Sequence, residues 1–424
     1  MDKNPNNRSF TPEDERRMKE RSAMRAKERE EKLRLEREKK ERQKQTFVKM
    51  NTVAMISLIV IVAFSLLFIA ANAFGNVTFS NIVDYISGSL TNIEPGAGYP
   101  LETGSGTVKN MSMIGDTLIA VRSNEVSVLN KTAKKTASFA HSYSKPMSAV
   151  SNGRMLVCDR VTGRYMVINR TECLYESDLS SETYACAISK KGNYAFSHKT
   201  EGASSVVSVF DSSNTKMFDF KCSDEYIIGI SFSPDGKKIA LIGVGAADAS
   251  LYSKLYVINI KKGELLYSVD FAGESLNSVF YSGRNSIIVV SENAYTIVNQ
   301  KGEQEKISFG FNTVSRFVSD PDGNFAVVLS KYGSIDSGAV ALLNSKGKEL
   351  FSIDIECKIE SIDYDGKTLC IVDSDNYVRT YNRRGKLIGQ TKLNTGAQDI
   401  TVSEKYCYAL CYGTIVQLDV RTKL

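Results

Sequence analysis

Residues 228–269 read IGISFSPDGKKIALIGVGAADASLYSKLYVINIKKGELLYSV, and this stretch decides the fold. A Ser233-Pro-Asp-Gly236 turn follows one run of β-branched and aliphatic residues, and the marker Asn259 closes another. Asp and Gly at such turns allow the positive φ that a tight hairpin requires. Because short apolar runs are separated by turn residues without a helical period, the stretch predicts a unit of four β-strands.

The same unit recurs along the chain from about Thr107. Its marker, an Asn or Asp directly after an aliphatic run, occurs eight times at intervals of about 41 residues, at Asn130, Asn169, Asp211, Asn259, Asn299, Asn344, Asn382 and Asp419. Repeats of this length with Gly or Asp turns are typical of propeller blades. The sequence therefore predicts an all-β, eight-bladed β-propeller over residues 99–424. Seven blades are the alternative if a terminal unit is irregular.

The last unit is too short to hold four strands, since only five residues follow Asp419. Residues 99–103 stand just before the first inner strand, where every other unit has the outer strand of the preceding blade. We predict that these residues complete the eighth blade and cover its open edge.

Two resemblances support this interpretation. The Ser233-Pro-Asp-Gly236 turn resembles those of WD40-like propellers, although the Gly-His and Trp-Asp signatures are absent. The basic arm, the apolar stretch after it, Gly98-Tyr99-Pro100 and Val108-Lys109-Asn110-Met111 resemble a domain-of-unknown-function family of single-pass membrane-anchored β-propellers of Gram-positive bacteria. That resemblance implies the fold and the topology, and the family has no assigned activity to carry over.

The stretch from Val53 to Phe74 carries no charged residue and is apolar almost throughout. As a helix it would be roughly 33 Å long, enough to cross a hydrocarbon core of about 30 Å. We expect residues 51–74 to form a transmembrane helix that acts as an uncleaved signal anchor. Cleavage after Ala71-Asn72-Ala73 is the alternative, because these residues have the small-x-small pattern of a signal-peptidase site.

Charge predicts the topology. Residues 1–50 contain 17 Lys or Arg and 11 Asp or Glu, whereas Asn76 to Thr107 has no basic residue. Basic flanks stay in the cytoplasm. We therefore expect residues 1–50 to be a charged cytoplasmic arm, largely helical or disordered, and residues 75–98 to form a short amphipathic helix and a linker. The protein would then lie in the cell membrane as a single-pass protein with its propeller extracytoplasmic.

The rest of the chain is balanced, with 37 basic and 37 acidic residues. A nucleic-acid-binding domain normally has a basic excess, so no nucleic acid partner is expected. Eight cysteines lie in the external part, most of them inside strands, where a small buried apolar role is the default. Neither the two histidines nor the acidic stretch Asp373-Ser-Asp-Asn376 has the ligand spacing of a metal site. No metal, no cofactor and no catalytic residue is expected.

Three loops joining the second and third strands of a unit are predicted to be long: His198 to Ser205, Gly243 to Lys254 and Lys331 to Gly338. Long exposed loops on a rigid scaffold are common binding sites. The candidate binding residues are Lys199, Glu201, Asp248, Tyr252, Lys331, Tyr332 and Asp336.

The hypothesis drawn from these patterns is a membrane-anchored extracytoplasmic propeller that acts as a scaffold for a protein or an envelope component, and not as an enzyme. Two alternatives stay open. A hydrolase or lyase could have its active site at the mouth of the central channel, since propellers host such chemistry with few diagnostic motifs. A transmembrane sensor could signal through the basic arm.

Overall fold

The computed structural model describes residues 16, 19, 23, 24, 27, 29–42, 54–62, 64, 65, 95–104, 107–151, 153–331 and 337–422. The chain divides into two units, Met1–Ala70 and Ala71–Leu424.

In the first unit, residues 29–42 and 54–62 are helical. An ion pair of 3.6 Å joins Arg34 to Glu38 at i,i+4, the kind of pair that the charged arm predicts. None of the helices described has both the length and the apolar composition needed to cross a membrane. The predicted span over residues 51–74 is described only at 54–62, 64 and 65, and the predicted amphipathic helix of the 75–98 segment lies outside the described residues.

The second unit is built of β-strands that begin and end at the turn residues of the repeat. Strand β1 (Leu101–Glu102) is followed by blade 1, which comprises β2 (Val108–Ile114), β3 (Thr117–Arg122), β4 (Glu125–Leu129) and β5 (Lys135–Ala140). Blade 2 comprises β6 (Pro146–Ser151), β7 (Arg154–Asp159), β8 (Arg164–Ile168) and β9 (Cys173–Asp178). Blade 3 comprises β10 (Thr183–Ile188), β11 (Tyr194–Thr200), β12 (Ala203–Phe210) and β13 (Lys216–Cys222). Blade 4 comprises β14 (Tyr226–Phe232), β15 (Lys238–Ala247), β16 (Ser250–Asn259) and β17 (Glu264–Ala272).

The second half repeats this order. Blade 5 comprises β18 (Leu276–Ser282), β19 (Ser286–Ser291), β20 (Ala294–Asn299) and β21 (Gln304–Ser308). Blade 6 comprises β22 (Thr313–Ser319), β23 (Phe325–Ser330), β24 (Gly338–Leu343) and β25 (Glu349–Ile355). Blade 7 comprises β26 (Ile359–Tyr364), β27 (Thr368–Asp373), β28 (Tyr377–Asn382) and β29 (Leu387–Lys392). Blade 8 comprises β30 (Ala397–Ser403), β31 (Tyr406–Cys411) and β32 (Thr414–Asp419), completed by β1.

Eight four-stranded antiparallel sheets confirm the eight-bladed propeller. The eighth sheet has the order β1-β32-β31-β30, with Leu101 opposite Ile415 and Glu102 opposite Thr414. The predicted closure by residues 99–103 is therefore confirmed: a strand from the N-terminal side covers the edge of the last blade.

The core consists of eight apolar clusters, each shared by two consecutive blades. One cluster joins blade 8 to blade 1 through Tyr408, Leu410 and Ile415 on one side and Met111 and Leu118 on the other. The second strand of each blade is packed on both faces, and β3, β7 and β27 are buried at every residue. This explains why these strands read as continuous apolar runs and not as alternating patterns.

The markers open the turn between the third and fourth strands. In all eight blades the side-chain oxygen of the marker accepts a backbone N–H two or three residues further along the chain. Asn130, for example, accepts bonds from the N–H groups of Thr132 at 3.0 Å and Lys134 at 2.9 Å. These bonds form Asx turns, the local arrangement that Asn and Asp favour at turn positions.

Candidate functional site

The propeller has two distinct faces. We call the loop face the side that carries the loops between second and third strands together with the connections between blades. Backbone hydrogen bonds tie these two sets of segments together, as from the Thr183 N–H to the Arg160 carbonyl at 2.9 Å and from the Val314 N–H to the Glu292 carbonyl at 2.6 Å. We call the opposite side, with the turns between first and second and between third and fourth strands, the turn face.

The mouth of the channel on the loop face is shaped by a β-bulge. In seven of the eight blades the first strand carries one extra residue where it leaves the loop face, blade 2 being the exception. The bulged residues are Lys109, Tyr184, Ile228, Asn277, Ser315, Glu360 and Gln398. Bulges redirect side chains and are frequent beside functional sites. The loop-face mouth is therefore ringed by side chains of varied chemistry.

Large apolar side chains are exposed on the loop face. Phe311 is 88% exposed in the connection between blades 5 and 6, and Tyr412 is 70% exposed in the β31–β32 loop. Val161, Tyr226, Ile228 and Leu251 are also exposed there. The other exposed large apolar residues described in the propeller lie on the outer strands β13, β17 and β25, and none lies in a described turn of the turn face. Exposed apolar surface confined to one face indicates an interaction site.

Two tyrosines join blades 3 and 4 at this mouth. The rings of Tyr184 and Tyr226 meet edge to face with centroids 5.6 Å apart, and Tyr226 is half exposed. Tyrosine offers a rigid apolar ring and a polar tip, the combination enriched at binding surfaces. The pair gives the loop face an aromatic platform beside the channel.

Blade 4 has the longest strands described, since β15 and β16 have ten residues each. Its strands β15 and β16 continue their pairing to Ala247 opposite Ser250, and the hairpin closes at Asp248 and Ala249, both with positive φ. The prediction of a long irregular loop from Gly243 to Lys254 is therefore wrong. The segment is a regular hairpin because its backbone groups find partners in the extended ladder. Likewise, pairing between β11 and β12 reaches Thr200 opposite Ala203 and shortens the loop predicted from His198 to Ser205.

Five of the seven candidate residues are described, and all five lie on the loop face. Lys199 and Glu201 stand at the exposed end of blade 3, and Asp248 at the tip of the blade 4 hairpin. The Tyr252 hydroxyl donates to Glu225 Oε1 at 3.2 Å, and Lys331 forms an ion pair of 3.1 Å with Asp354. Tyr332 and Asp336 lie outside the described residues.

The exposed Phe311, Tyr412 and Tyr226 were missed from sequence. Phe311 follows Gly310 between two blades, and Tyr412 precedes Gly413 in a tight turn. A large apolar residue beside Gly in a predicted connection is the signal that could have identified both.

His198 belongs to a hydrogen-bonded chain across blade 3. Its Nδ1 lies 2.8 Å from Ser181 Oγ and its Nε2 lies 2.9 Å from Ser208 Oγ, which donates to Asp219 Oδ1 at 2.6 Å. Burial lowers the pKa of His198, so the imidazole is neutral at pH 7. Because Ser208 donates to the carboxylate, it accepts from Nε2–H, and Nδ1 then faces the Ser181 hydroxyl at 2.8 Å, which can donate to it, and the Lys199 carbonyl oxygen at 3.1 Å, which can only accept.

His141 has a local structural role. Its Nδ1 accepts the Tyr143 N–H at 3.1 Å, and the two rings stack with centroids 4.4 Å apart. Within the described residues, no group of three His, Cys, Asp or Glu side chains is arranged to hold a metal ion.

Two carboxylates on inner strands connect neighbouring blades. Asp363 on β26 accepts the Thr401 hydroxyl at 2.9 Å and the Val402 N–H at 2.8 Å from β30. Asp399 on β30 accepts the Ser361 hydroxyl at 3.0 Å. Burial raises the pKa of both groups. Asp363 Oδ2 and Asp399 Oδ1 therefore accept hydrogen bonds from the adjacent blade, so both carboxylates serve to hold neighbouring blades together.

The cysteines are free thiols, and five of them are buried: Cys158, Cys222, Cys370, Cys407 and Cys411. Burial raises the pKa of Cys158 to about 12, which makes its thiol a poor nucleophile. For these five the structure agrees with a small apolar role.

A shallow pocket of about 250 Å³ opens on the loop face where β1 closes the ring. It is lined by Thr103, Gly104, Thr107, Val108, Gln398, Leu410, Cys411, Tyr412 and Gly413. None of these side chains is a carboxylate or an imidazole, and the polar groups of the lining side chains belong to Thr103, Thr107, Gln398, Cys411 and Tyr412.

The sequence matches one protein family over most of the propeller. The family, described as a family of unknown function (DUF5711), matches residues 91–417. Among curated proteins, none matches this sequence.

Solved structures with this fold are numerous. The computationally designed Ika8 protein aligns with a TM-score of 0.60 at 13% identity, over 76% of this chain and 98% of that chain. Sqt1 from Saccharomyces cerevisiae gives 0.57 at 10% identity, over 77% and 99%. Sqt1 from Chaetomium thermophilum, solved bound to the N-terminus of the ribosomal protein L10, gives 0.51 at 15% identity, over 74% and 92%. At these identities the likeness shows the propeller fold alone.

Proposed function

The chain belongs to the family of unknown function DUF5711, and we propose that it is a membrane-anchored scaffold whose loop face binds a protein or another envelope component. The observation that carries this proposal is the confinement of exposed Phe311, Tyr412, Tyr226 and Leu251 to one face. A monomer gains nothing by exposing such side chains together, whereas a partner buries them favourably.

Polar groups around these anchors supply the rim of the site. The five described candidates, Lys199, Glu201, Asp248, Tyr252 and Lys331, lie on the same face as the anchors, in blades 3, 4 and 6. Apolar anchors within a polar rim are the usual anatomy of a protein interface. The Chaetomium Sqt1 propeller was solved with a bound N-terminal segment of another protein, which illustrates that such a fold can present a peptide site.

The anchor is the second part of the proposal. The uncharged stretch Val53–Phe74 follows a basic arm with 17 Lys or Arg in residues 1–50. This order supports a single span with the arm in the cytoplasm and the propeller outside.

Site-directed photo-crosslinking in intact cells tests the binding face. A photoreactive amino acid at Phe311, Tyr412 or Tyr226 is expected to give the same crosslinked partner from all three positions. The matched control positions are Leu265 and Leu350, equally apolar residues exposed on outer strands. Capture of one partner with equal yield from the control positions would contradict a site on the loop face.

A hydrolase is the second candidate function, and the contact between Ser181 Oγ and His198 Nδ1 at 2.8 Å favours it. The Ser208–Asp219 bond favours the tautomer whose Nδ1 can accept the Ser181 proton, whereas the Lys199 carbonyl oxygen, 3.1 Å from Nδ1, favours the other tautomer. If Ser181 is a nucleophile, a fluorophosphonate probe labels the wild type and fails to label Ser181→Ala. A wild type that is equally unlabelled rules out the hydrolase. The hydrogen bonds from Ser181 through His198 and Ser208 to Asp219 would then have only a structural role in blade 3.

A further inference from the structure

The overall charge balance of the propeller conceals two faces of opposite sign. The turns between third and fourth strands of blades 1–7 and the described segment after β32, at the periphery of the turn face, contain 12 Lys or Arg against three Asp or Glu; they are residues 130–134, 169–172, 211–215, 260–263, 300–303, 344–348, 383–386 and 420–422. The described turns between first and second strands, nearer the channel, contain six of each sign. The described segments of the loop face contain four basic and nine acidic residues.

The basic side chains form a ring that reaches almost around the disc. Every blade except blades 2 and 3 contributes at least one exposed Lys or Arg, because the blade 2 residue, Arg170, is buried and forms an ion pair of 3.2 Å with Asp116. The largest concentration lies on adjacent blades, with Lys346 and Lys348 in blade 6 and Arg384 and Lys386 in blade 7, all exposed. Basic charge distributed over a broad face creates a potential that attracts an extended anionic surface.

The chain enters the propeller at this same face. The Gly96 N–H donates to Thr132 Oγ1 at 2.7 Å, and the Gly98 N–H donates to the Thr132 carbonyl at 3.0 Å. Thr132 lies in the peripheral turn of blade 1, between Lys131 and Lys134. The chain reaches the loop face only at Thr103, whose N–H donates to the Gly413 carbonyl at 2.9 Å. A tether from an upstream anchor is therefore attached on the basic side.

We propose that the turn face docks on an anionic phospholipid bilayer, with its peripheral ring of Lys and Arg against the headgroup phosphates. This inference rests on the proposed membrane anchoring. A bilayer fits better than a nucleic acid because the basic residues follow the rim of a broad face and do not line a groove along one strand path. Docking in this orientation points the acidic, apolar loop face away from the membrane and toward its partner.

The test uses the full chain with a specific protease site inserted between Glu94 and Pro95. The protein is reconstituted into vesicles of phosphatidylcholine alone or of equal parts phosphatidylcholine and phosphatidylglycerol. Before cleavage, the protein is expected to float with both vesicle types, because the span anchors it in either bilayer. After cleavage at low salt, we expect the released propeller to stay on the vesicles that contain phosphatidylglycerol and to leave those of phosphatidylcholine alone. At high salt we expect it to dissociate from the phosphatidylglycerol vesicles as well.

Charge reversal identifies the face. Arg384→Glu with Lys386→Glu is expected to lower retention on the anionic vesicles by on the order of 30-fold. The matched control, Lys145→Glu with Lys358→Glu, makes the same change in net charge on exposed residues of the loop and connection side and should retain the propeller as the wild type does. All four side chains are exposed, so circular dichroism should show both variants folded.

The outcomes separate the two proposals. Failure to float before cleavage contradicts the anchor. Normal flotation followed by equal release from both vesicle types, or an equal loss in the control variant, overturns the docking while the anchor stands. Tighter binding of the cleaved propeller to duplex DNA than to anionic vesicles would also overturn it, because the ring would then serve a nucleic acid.

Discussion

At the residue scale, Glu125 shows how one carboxylate fixes the loop-face end of a blade. Its Oε1 accepts hydrogen bonds from Lys135 Nζ and Ser127 Oγ, both at 2.7 Å, and its Oε2 accepts one from Ser138 Oγ. The bond from Lys135, followed by that from Ser138, lowers the pKa of Glu125 to about 2. These donors lie on β4 and β5, so the ionised carboxylate holds the third and fourth strands of blade 1 together.

We expect Glu125→Gln to reduce the free energy of unfolding by about 1–2 kcal/mol at pH 7. The folded-state pKa lies below the ordinary value of 4.5, so the contribution is present above pH 4.5 and is lost as the pH falls toward 2. The difference between variant and wild type should therefore shrink between these limits. Urea unfolding followed by circular dichroism at pH 7 and pH 3 measures it, since the chain has no Trp for fluorescence.

Glu264→Gln is the control, because the Glu264 carboxylate is 65% exposed in a surface pair with Lys262. Its effect should stay within about 0.5 kcal/mol at either pH. A Glu125→Gln difference that is the same at pH 7 and pH 3 would contradict the assignment of the effect to the ionised carboxylate.

At the element scale, the two-residue strand β1 carries the closure of the ring. Leu101 packs against the cluster of Leu118, Tyr408 and Ile415 between blades 8 and 1. Tyr99 adds an edge contact to Tyr408 with ring centroids 5.4 Å apart. Side-chain burial therefore complements the short hydrogen-bonded ladder to β32.

We expect Leu101→Ala to lower the free energy of unfolding by about 1–2 kcal/mol, because a partly buried leucine loses its contacts and leaves a gap at the closure. Leu266→Ala on the exposed face of β17 is the matched control and should change stability by less than about 0.5 kcal/mol. The measurement is urea unfolding of both variants side by side. Equal effects would mean that β1 contributes no packing to the closure.

Much of this level could be predicted from sequence. The markers from Asn130 to Asp419 predict eight units because Asn and Asp make the same local bond in every turn, and local chemistry repeats visibly in a chain. The residues from Gly243 to Lys254 misled the prediction since small residues such as Gly245 and Ala246 suggest a loop. Their backbone groups pair with β16 instead, and this pairing overrides the local preference. A local stretch of sequence does not show which strand it pairs with.

The candidate site was less predictable. Its loops were identified because length can be counted, but the exposure of Phe311 and Tyr412 depends on neighbours from other blades. The opposite charges of the two faces were also missed, because the equal totals of 37 basic and 37 acidic residues after residue 50 cancel. Acidic and basic residues follow one another along the chain, as Asp375 and Arg384 do. The difference in charge appears only when Asp375 is assigned to the loop face and Arg384 to the turn face.

At the scale of the whole molecule, the proposed topology places the charged arm, residues 1–50, and the propeller on opposite sides of a membrane. In intact cells we expect a membrane-impermeant maleimide to label Phe311→Cys, because Phe311 is 88% exposed on the loop face. The control is Lys32→Cys in the exposed helix of the arm, which should be labelled only after the cells are opened. Both variants are made in a chain lacking the exposed Cys173, whose thiol would otherwise react.

The reverse pattern, with Lys32→Cys labelled in intact cells and Phe311→Cys protected, would contradict the proposed orientation. Labelling of both in intact cells would contradict the separation of the arm and the propeller by a bilayer.

The pairing of β1 with β32 also sets the order in which the protein can be finished. Among the described strands the ribosome makes β1 first and its partner β32 last, so the ring stays open until β32 has been synthesised. A prematurely terminated product keeps an unpaired strand edge, the kind of surface that aggregates or attracts proteases. Closure by β32 thus works as a built-in check that only copies extending through this strand form the closed ring.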